Sequence, residues 1–151
     1  MELQLSHLGF DQLSAQMLYD IIRLRMEVFV VEQNCPYQDL DGRDQASTHV
    51  MGHTPDGRLL SYCRVLPPGL AYPSYASIGR VITSGEVRGT GAGKKLMVYA
   101  IDLARKLYPG MAVKISAQSY ALPFYEALGF IAIGEEYLED DIPHRAMILN
   151  P

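Results

Sequence analysis

Tryptophan is absent from this 151-residue chain, and cysteine occurs only at Cys35 and Cys63. Two cysteines cannot build a disulfide scaffold, so the fold must rest on its core, and a reducing cytoplasm is the expected setting. Positive charge is also scarce: Lys plus Arg is 13 against 17 for Asp plus Glu, a net −4 with neutral His. Tracking a nucleic-acid backbone takes a basic stripe, so nucleic acid is not an expected partner. The longest uncharged stretch, 65–79, is broken by Pro67, Pro68 and Pro73. It falls short of the roughly 18 apolar residues of a membrane span, so no membrane partner is expected either. Met1-Glu2-Leu3-Gln4 has neither the basic nor the apolar region of a secretory signal. What is present is 48% hydrophobic residues and ten tyrosines. That suffices for a buried core, and 1–151 reads as one domain.

Leu13, Met17, Ile21, Leu24 and Val28 recur at three- and four-residue steps, which predicts an amphipathic helix entered near Ser14. A polar loop, 34–46, follows. Strands are expected at 47–54 and 59–66, joined at Asp56-Gly57 by a tight turn whose two central residues both need positive φ. A β-branched strand at 75–83 leads to a glycine-rich turn and a helix over 91–108. On that helix Leu96, Ala100, Leu103 and Leu107 make one stripe, with Met97, Ile101 and Ala104 beside it. A strand at 112–117, a short helix at 120–128 closed by Gly129, and strands at 130–138 and 144–149 complete the chain. The order β-α-β-β-β-α-β-α-β-β predicts an α/β (α+β) class with a mixed, mostly antiparallel sheet of six to seven strands flanked by helices.

Arg88-Gly89-Thr90-Gly91-Ala92-Gly93-Lys94 sits between a strand and a long helix. Glycines let the main chain approach an anion, and a helix N-terminus offers free N–H groups and partial positive charge. A phosphate or pyrophosphate is the guest such a turn suits. A dinucleotide fingerprint would need Gly at 94, which is Lys; a P-loop would need Gly at 88 and Ser or Thr at 95, which are Arg and Lys. Both nucleotide patterns fail. The pattern that fits is [R/Q]-x-x-G-x-[G/A], as Arg88-x-x-Gly91-x-Gly93.

That motif resembles the acetyl-CoA loop of the GNAT N-acetyltransferase superfamily. A second family pattern, N-x-x-A-x-x-x-Y-x-x-x-G-F, is matched by Gln118, Ala121, Tyr125, Gly129 and Phe130, with Gln in place of Asn. The element order is also the family's, so the resemblance covers nearly the whole chain. The segment 28–37, with Asp39, Asp41-Gly42 and His49 after it, is similar to the ElaA-like branch.

The resemblance implies the GNAT fold, splayed between the strands near 75–83 and 112–117. It implies acetyl-CoA as acyl donor, with its pyrophosphate on Arg88, Gly89, Thr90, Gly91, Ala92, Gly93 and Lys94. The pantetheine arm would lie along Val81, Ile82 and Thr83 and reach Gln118. A backbone N–H near Val81 or Ile82 would serve the oxyanion, and Tyr125 would be the general acid, for direct attack of a primary amine on the thioester. Spacing alone would make Tyr125 a core aromatic. Phe29, Glu32, Asp41, His49 and His144 are the candidates for the acceptor side, the last four also for a general base, and no paired spacing selects among them. A non-catalytic acyl-CoA-binding module is the alternative, and the oligomeric state stays open between monomer and the homodimer frequent in the family.

Other signals are weaker. Aligning Gly42 to the sixth position of a calcium loop puts Tyr37 first and Thr48 twelfth, where carboxylates are needed. His49 and His53 on one strand face lie about 13 Å apart, too far to share zinc, so no metal is expected. Glu135, Glu136, Glu139, Asp140 and Asp141 read as a solvated turn, or as a lure for a cationic amine.

Overall fold

Ser14 accepts a hydrogen bond from the Met17 amide, and α1 (Ala15–Arg25) starts there because that side chain satisfies an amide the helix cannot. Its stripe buries Ile21 and Leu24 and continues to Val28. The regular spiral then gives way to π-helical turns over Met26–Glu32, closed by amide-to-carbonyl bonds five residues apart, from Gln33 to Val28 and from Cys35 to Val30. In this computed structural model residues 2–151 are described.

Among the described residues seven strands form two antiparallel sheets. β1 (Gln4–Gly9), β2 (Thr48–His53), β3 (Leu59–Leu66) and β4 (Ser77–Thr83) lie side by side in that order. β5 (Val113–Gln118), β6 (Ile131–Glu139) and β7 (Ile142–Leu149) form the second sheet, in the order β5-β7-β6. The two sheets meet at a single parallel bridge, Ala76 to Val113, made by the Ala76 amide on the Ala112 carbonyl (3.1 Å) and the Lys114 amide on the Ala76 carbonyl (2.9 Å). Beyond it β4 and β5 part at the expected place.

α2 (Ala92–Leu107) covers this junction with its buried face, Leu96, Met97, Ala100, Ile101, Leu103 and Ala104. The core it shares includes Val65, Ile78, Ile115, Phe130 and Met147. Leu107, expected in the stripe, is 44% exposed in the last helical turn. α3 (Leu122–Ala127) is only six residues long, with Pro in its first turn and Gly129 at φ +101 just after it.

The turn expected at Asp56-Gly57 differs. Only Gly57 has positive φ, +92, and the Gly57 amide bonds back to the Thr54 carbonyl while the Thr54 amide bonds to the Arg58 carbonyl. That is a wider hairpin loop with one left-handed glycine, set by Pro55, which fixes φ near −65°. The two-residue turn with both φ values positive occurs at Asp140 (+50) and Asp141 (+62), within the acidic run.

The loop 34–46 is fastened by buried charge. Arg25, 1% exposed, donates to Asp39 and Asp44, each at 2.8 Å. Arg64, 3% exposed, donates to the same Asp44 oxygen at 2.8 Å and to Asp41 at 2.9 Å. Breaking a buried pair from one side leaves an uncompensated charge, which costs about 3–5 kcal/mol. Asp44→Ala strips a partner from both guanidiniums, so its urea midpoint should fall by the equivalent of about 3 kcal/mol or more. Glu2→Gln, which removes only the exposed Lys95 partner, should move the same midpoint by less than about 1 kcal/mol.

Candidate functional site

The parting of β4 and β5 leaves a cavity of about 510 Å³. One wall is β4 from Ile78 to Thr83; the other is Ile115 to Gln118 of β5 with Ile142 and His144 of β7. The π-helical segment and following loop contribute Val28, Phe29, Glu32, Gln33, Cys35 and Tyr37, and α3 supplies Tyr125.

β4 pairs with β3 along one edge only. Tyr62 faces Ile82 and Arg64 faces Gly79, so Cys63 opposes two residues and β4 bulges at Arg80–Val81. Arg80 sits at φ +51, a left-handed conformation costing a non-glycine residue about 1–2 kcal/mol. Asp39 holds it there: Arg80 Nε lies 2.8 Å from Asp39 Oδ1 and Nη2 donates to the Asp39 carbonyl at 2.8 Å. The free edge of β4 past the bulge leaves main-chain groups facing the cavity, which can take an added extended chain.

At one end of the cavity stands Arg88, donating to the Thr83 carbonyl (3.2 and 3.0 Å) and to Glu32 (2.6 Å). Gly89 (φ +80), Thr90 and Gly91 (φ +85) make the turn into α2, with Ala92, Gly93 and Lys94 in its first turn. Only glycine tolerates both those angles without strain, and a Cβ at Gly89 or Gly91 would meet nothing within 4 Å. The turn is therefore open outward. Gly91 caps α2 with no side-chain acceptor, so the first amides of a 16-residue helix stay free for an anion. Lys95 pairs with Glu2; Lys94 has no ion-pair partner among the described residues. The residues here fit a pyrophosphate at the turn and an extended arm along Val81, Ile82 and Thr83.

Gln118 also lines the cavity and exchanges two 3.3 Å amide hydrogen bonds with Gln33 across it. Tyr125 packs edge-on between Phe124 and Phe130, at centroid distances of 5.1 and 5.8 Å. Burial pushes its phenol well above the ordinary value. Its hydroxyl makes no hydrogen bond among the described residues, although it lines the cavity.

The acceptor candidates divide. Phe29, Glu32 and His144 line the cavity; His49 and Asp41 do not. His49 is fully buried. Its Nε2 donates to the Asp44 carbonyl at 2.9 Å and its Nδ1 accepts from the Tyr62 hydroxyl at 2.7 Å. Burial holds its pKa below the ordinary 6.5, so it is a neutral brace behind β2. Asp41 is bound to Arg64 and 3.5 Å from Arg80. Despite burial, the Arg64 bond, the Arg43 amide and the two guanidinium charges hold it far below the carboxylate range. Neither is placed to receive a proton from a guest in the cavity.

Residues that periodicity did not single out also line it. Tyr37 donates to Asp39 at 2.8 Å and lies under the Arg80 guanidinium. Cys35 reaches the Asp140 carbonyl at 3.5 Å, which fastens the β6–β7 hairpin over the opening. Glu139 and Asp140 of that acidic run line the cavity, whereas Glu136 accepts from Ser119. Among the described residues no group of three or more His, Cys, Asp or Glu is arranged to hold a metal, and no helix is long and apolar enough to cross a membrane.

Known proteins resemble this chain over nearly its whole length. The family model of the acetyltransferase (GNAT) domain matches residues 11–151. Protein ElaA of Escherichia coli is 40% identical over 142 residues, 93% of this chain and 92% of its own. The crystal structure of an acyl-CoA N-acyltransferase from Pseudomonas aeruginosa superposes with a TM-score of 0.91 at 42% identity, covering 97% of this chain and 99% of that one. The Escherichia coli ElaA crystal structure gives 0.91 at 37% identity, over 98% and 99%.

The His49 environment gives a signed pH dependence. Its folded pKa lies below its unfolded one, so its contribution is present above about pH 6.5 and is lost as pH falls below it. Asp41 and Asp44, both depressed, add a further loss as pH drops below 3.8. The urea midpoint should therefore fall between pH 7.5 and 5.5 in the wild type. His49→Gln should be less stable throughout but flatter across that interval.

Proposed function

This chain belongs to the GNAT acetyltransferase family, on its ElaA-like branch, and from that premise we propose that it transfers the acetyl group of acetyl-CoA to a cationic primary amine. The observation that carries this reading is the pairing of an unladdered β4 edge with an open glycine turn at one end of the same cavity. That combination suits a ligand with a pyrophosphate and an amide-bearing arm.

In the proposed reaction acetyl-CoA is a substrate, and the chain's groups position and move protons. Arg88 and the amides of Gly91 to Lys94 bind phosphate. The outward edge of β4 from Val81 to Thr83 pairs with the arm, with Gln118 as a further contact, and an amide at Val81 or Ile82 receives the oxyanion. Tyr125 gives its proton to the departing sulfur. Glu32, Glu139 and Asp140 around the cavity favour an ammonium-bearing acceptor, which Phe29 packs beside. The proposal keeps the cytoplasmic setting suggested by two free thiols.

A thiol-release assay with acetyl-CoA and a panel of putrescine, spermidine, ethanolamine and a lysyl peptide tests it. At least one amine should release thiol at saturating donor. Acetyl-CoA binding by calorimetry without release for any amine would leave an acyl-CoA-binding module, and no binding would remove the reading. Tyr125→Phe should lower kcat about 10²-fold with the donor dissociation constant little changed. Unaltered turnover would make Tyr125 a core aromatic only.

A further inference from the structure

An acceptor amine arrives as an ammonium, and an amine has no lone pair to attack with until a proton leaves it. Four side chains are candidates to take that proton. His49 has both ring nitrogens hydrogen-bonded behind β2, and Asp41 is committed to arginines. Glu32 lines the cavity but closes a 2.6 Å ion pair with Arg88 at the phosphate end. Of the four, His144 is buried (6% exposed) and still lines the cavity.

The surroundings of that ring orient it for proton transfer. Nδ1 lies 2.6 Å from the Ile142 carbonyl oxygen. A carbonyl can only accept, so Nδ1 carries the proton and Nε2 presents the lone pair. Nε2 in turn stands 3.4 Å from Glu139 Oε2, near enough to stabilise a proton once it has arrived. Tyr137 stacks on the ring at 6.1 Å and is itself bonded to Ser116 of β5. The other charged and titratable groups nearby are Asp140, whose carbonyl meets Cys35, and Tyr72, whose phenol feels the Glu139 charge.

We infer that His144 is the general base of the reaction, with Glu139 as its positioning residue. This rests on the transferase reading given above. One ammonium proton passes to His144 Nε2 and leaves to solvent through the cavity. The nitrogen lone pair forms the C–N bond, the C–S bond breaks with its electrons on sulfur, and Tyr125 protonates the sulfur. The second proton lost from nitrogen restores Tyr125, so the net products are amide, free thiol and one proton.

The test uses the full chain with whichever amine the wild type acetylates. His144→Gln should lower kcat at pH 7 by about 10²-fold or more, while the acetyl-CoA dissociation constant from calorimetry stays within about twofold. The deficit should shrink as pH rises towards the amine pKa of about 10, where the acceptor is already neutral, and added imidazole should recover part of the rate. Glu139→Gln should lose less, in kcat rather than in donor binding. Wild-type turnover with an unimpaired His144→Gln, or a deficit that neither alkaline pH nor imidazole relieves, would overturn the assignment of His144 alone. Wild-type donor binding without thiol release for any amine would overturn the transferase reading and this assignment with it.

Discussion

Among the described residues one parallel bridge, at Ala76 just before β4, joins it to β5, and beyond it the two strands diverge. Unpaired strand edges are costly when buried, because each main-chain amide and carbonyl wants a partner. A fold that keeps such an edge inside a cavity has reserved those groups for something else. Every other feature of the site is arranged around that parting. α2 closes it from one side, its free amides stand at the end where Arg88 and Thr83 meet, and the second sheet supplies the opposite wall.

Holding β4 apart takes a bulge, and the bulge takes a residue willing to sit at positive φ. Glycine would do so freely, but the chain uses Arg80 and offsets its strain with two contacts to Asp39. Asp39 is tied in turn to Arg25 of α1, and Asp44 joins Arg25 to Arg64 of β3. The loop 34–46, of which Asp41 is an acceptor candidate in sequence, is thus mostly committed to fixing β4. Its contribution to the cavity reduces to Cys35 and Tyr37 beside the β6–β7 hairpin. β4 and the cavity-lining end of this loop are coupled through one buried ionic cluster.

The elements were legible because period and caps are local: Ser14, the α2 stripe and Gly129 each report on their own neighbours. The glycine turn was legible because its chemistry is local too, four residues of main chain and one arginine. What the sequence hid depends on distance. Nothing adjacent to His49 reveals that Tyr62 and the Asp44 carbonyl claim its two nitrogens. Nothing adjacent to Arg80 reveals Asp39, 41 residues away. The π-helical turns have a local trace, since Val28, Val30 and Val31 crowd the end of α1 and β-branched side chains are stiff there. That trace does not distinguish a widened helix from a strand. Asp56-Gly57 misled on turn type because Pro55 restricts the preceding φ, a competing local rule.

Tyr125 and His144 stand on different elements of one cavity and suit opposite tasks. Burial among Phe124 and Phe130 disfavours the phenolate, so Tyr125 keeps its proton at any working pH. The same burial makes it a poor donor to a thiolate, since an unperturbed thiol titrates near 8.5, below even an ordinary phenol. Proton donation by Tyr125 is therefore favourable only while a cation stands beside it. On the proposed pathway attack itself creates one, on the nitrogen of the tetrahedral species. A base is needed earlier, at the ammonium, and there an imidazole anchored through Nδ1 supplies a lone pair. Acid and base work thus fall to two groups of one cavity, and the order of events follows from which charge exists when.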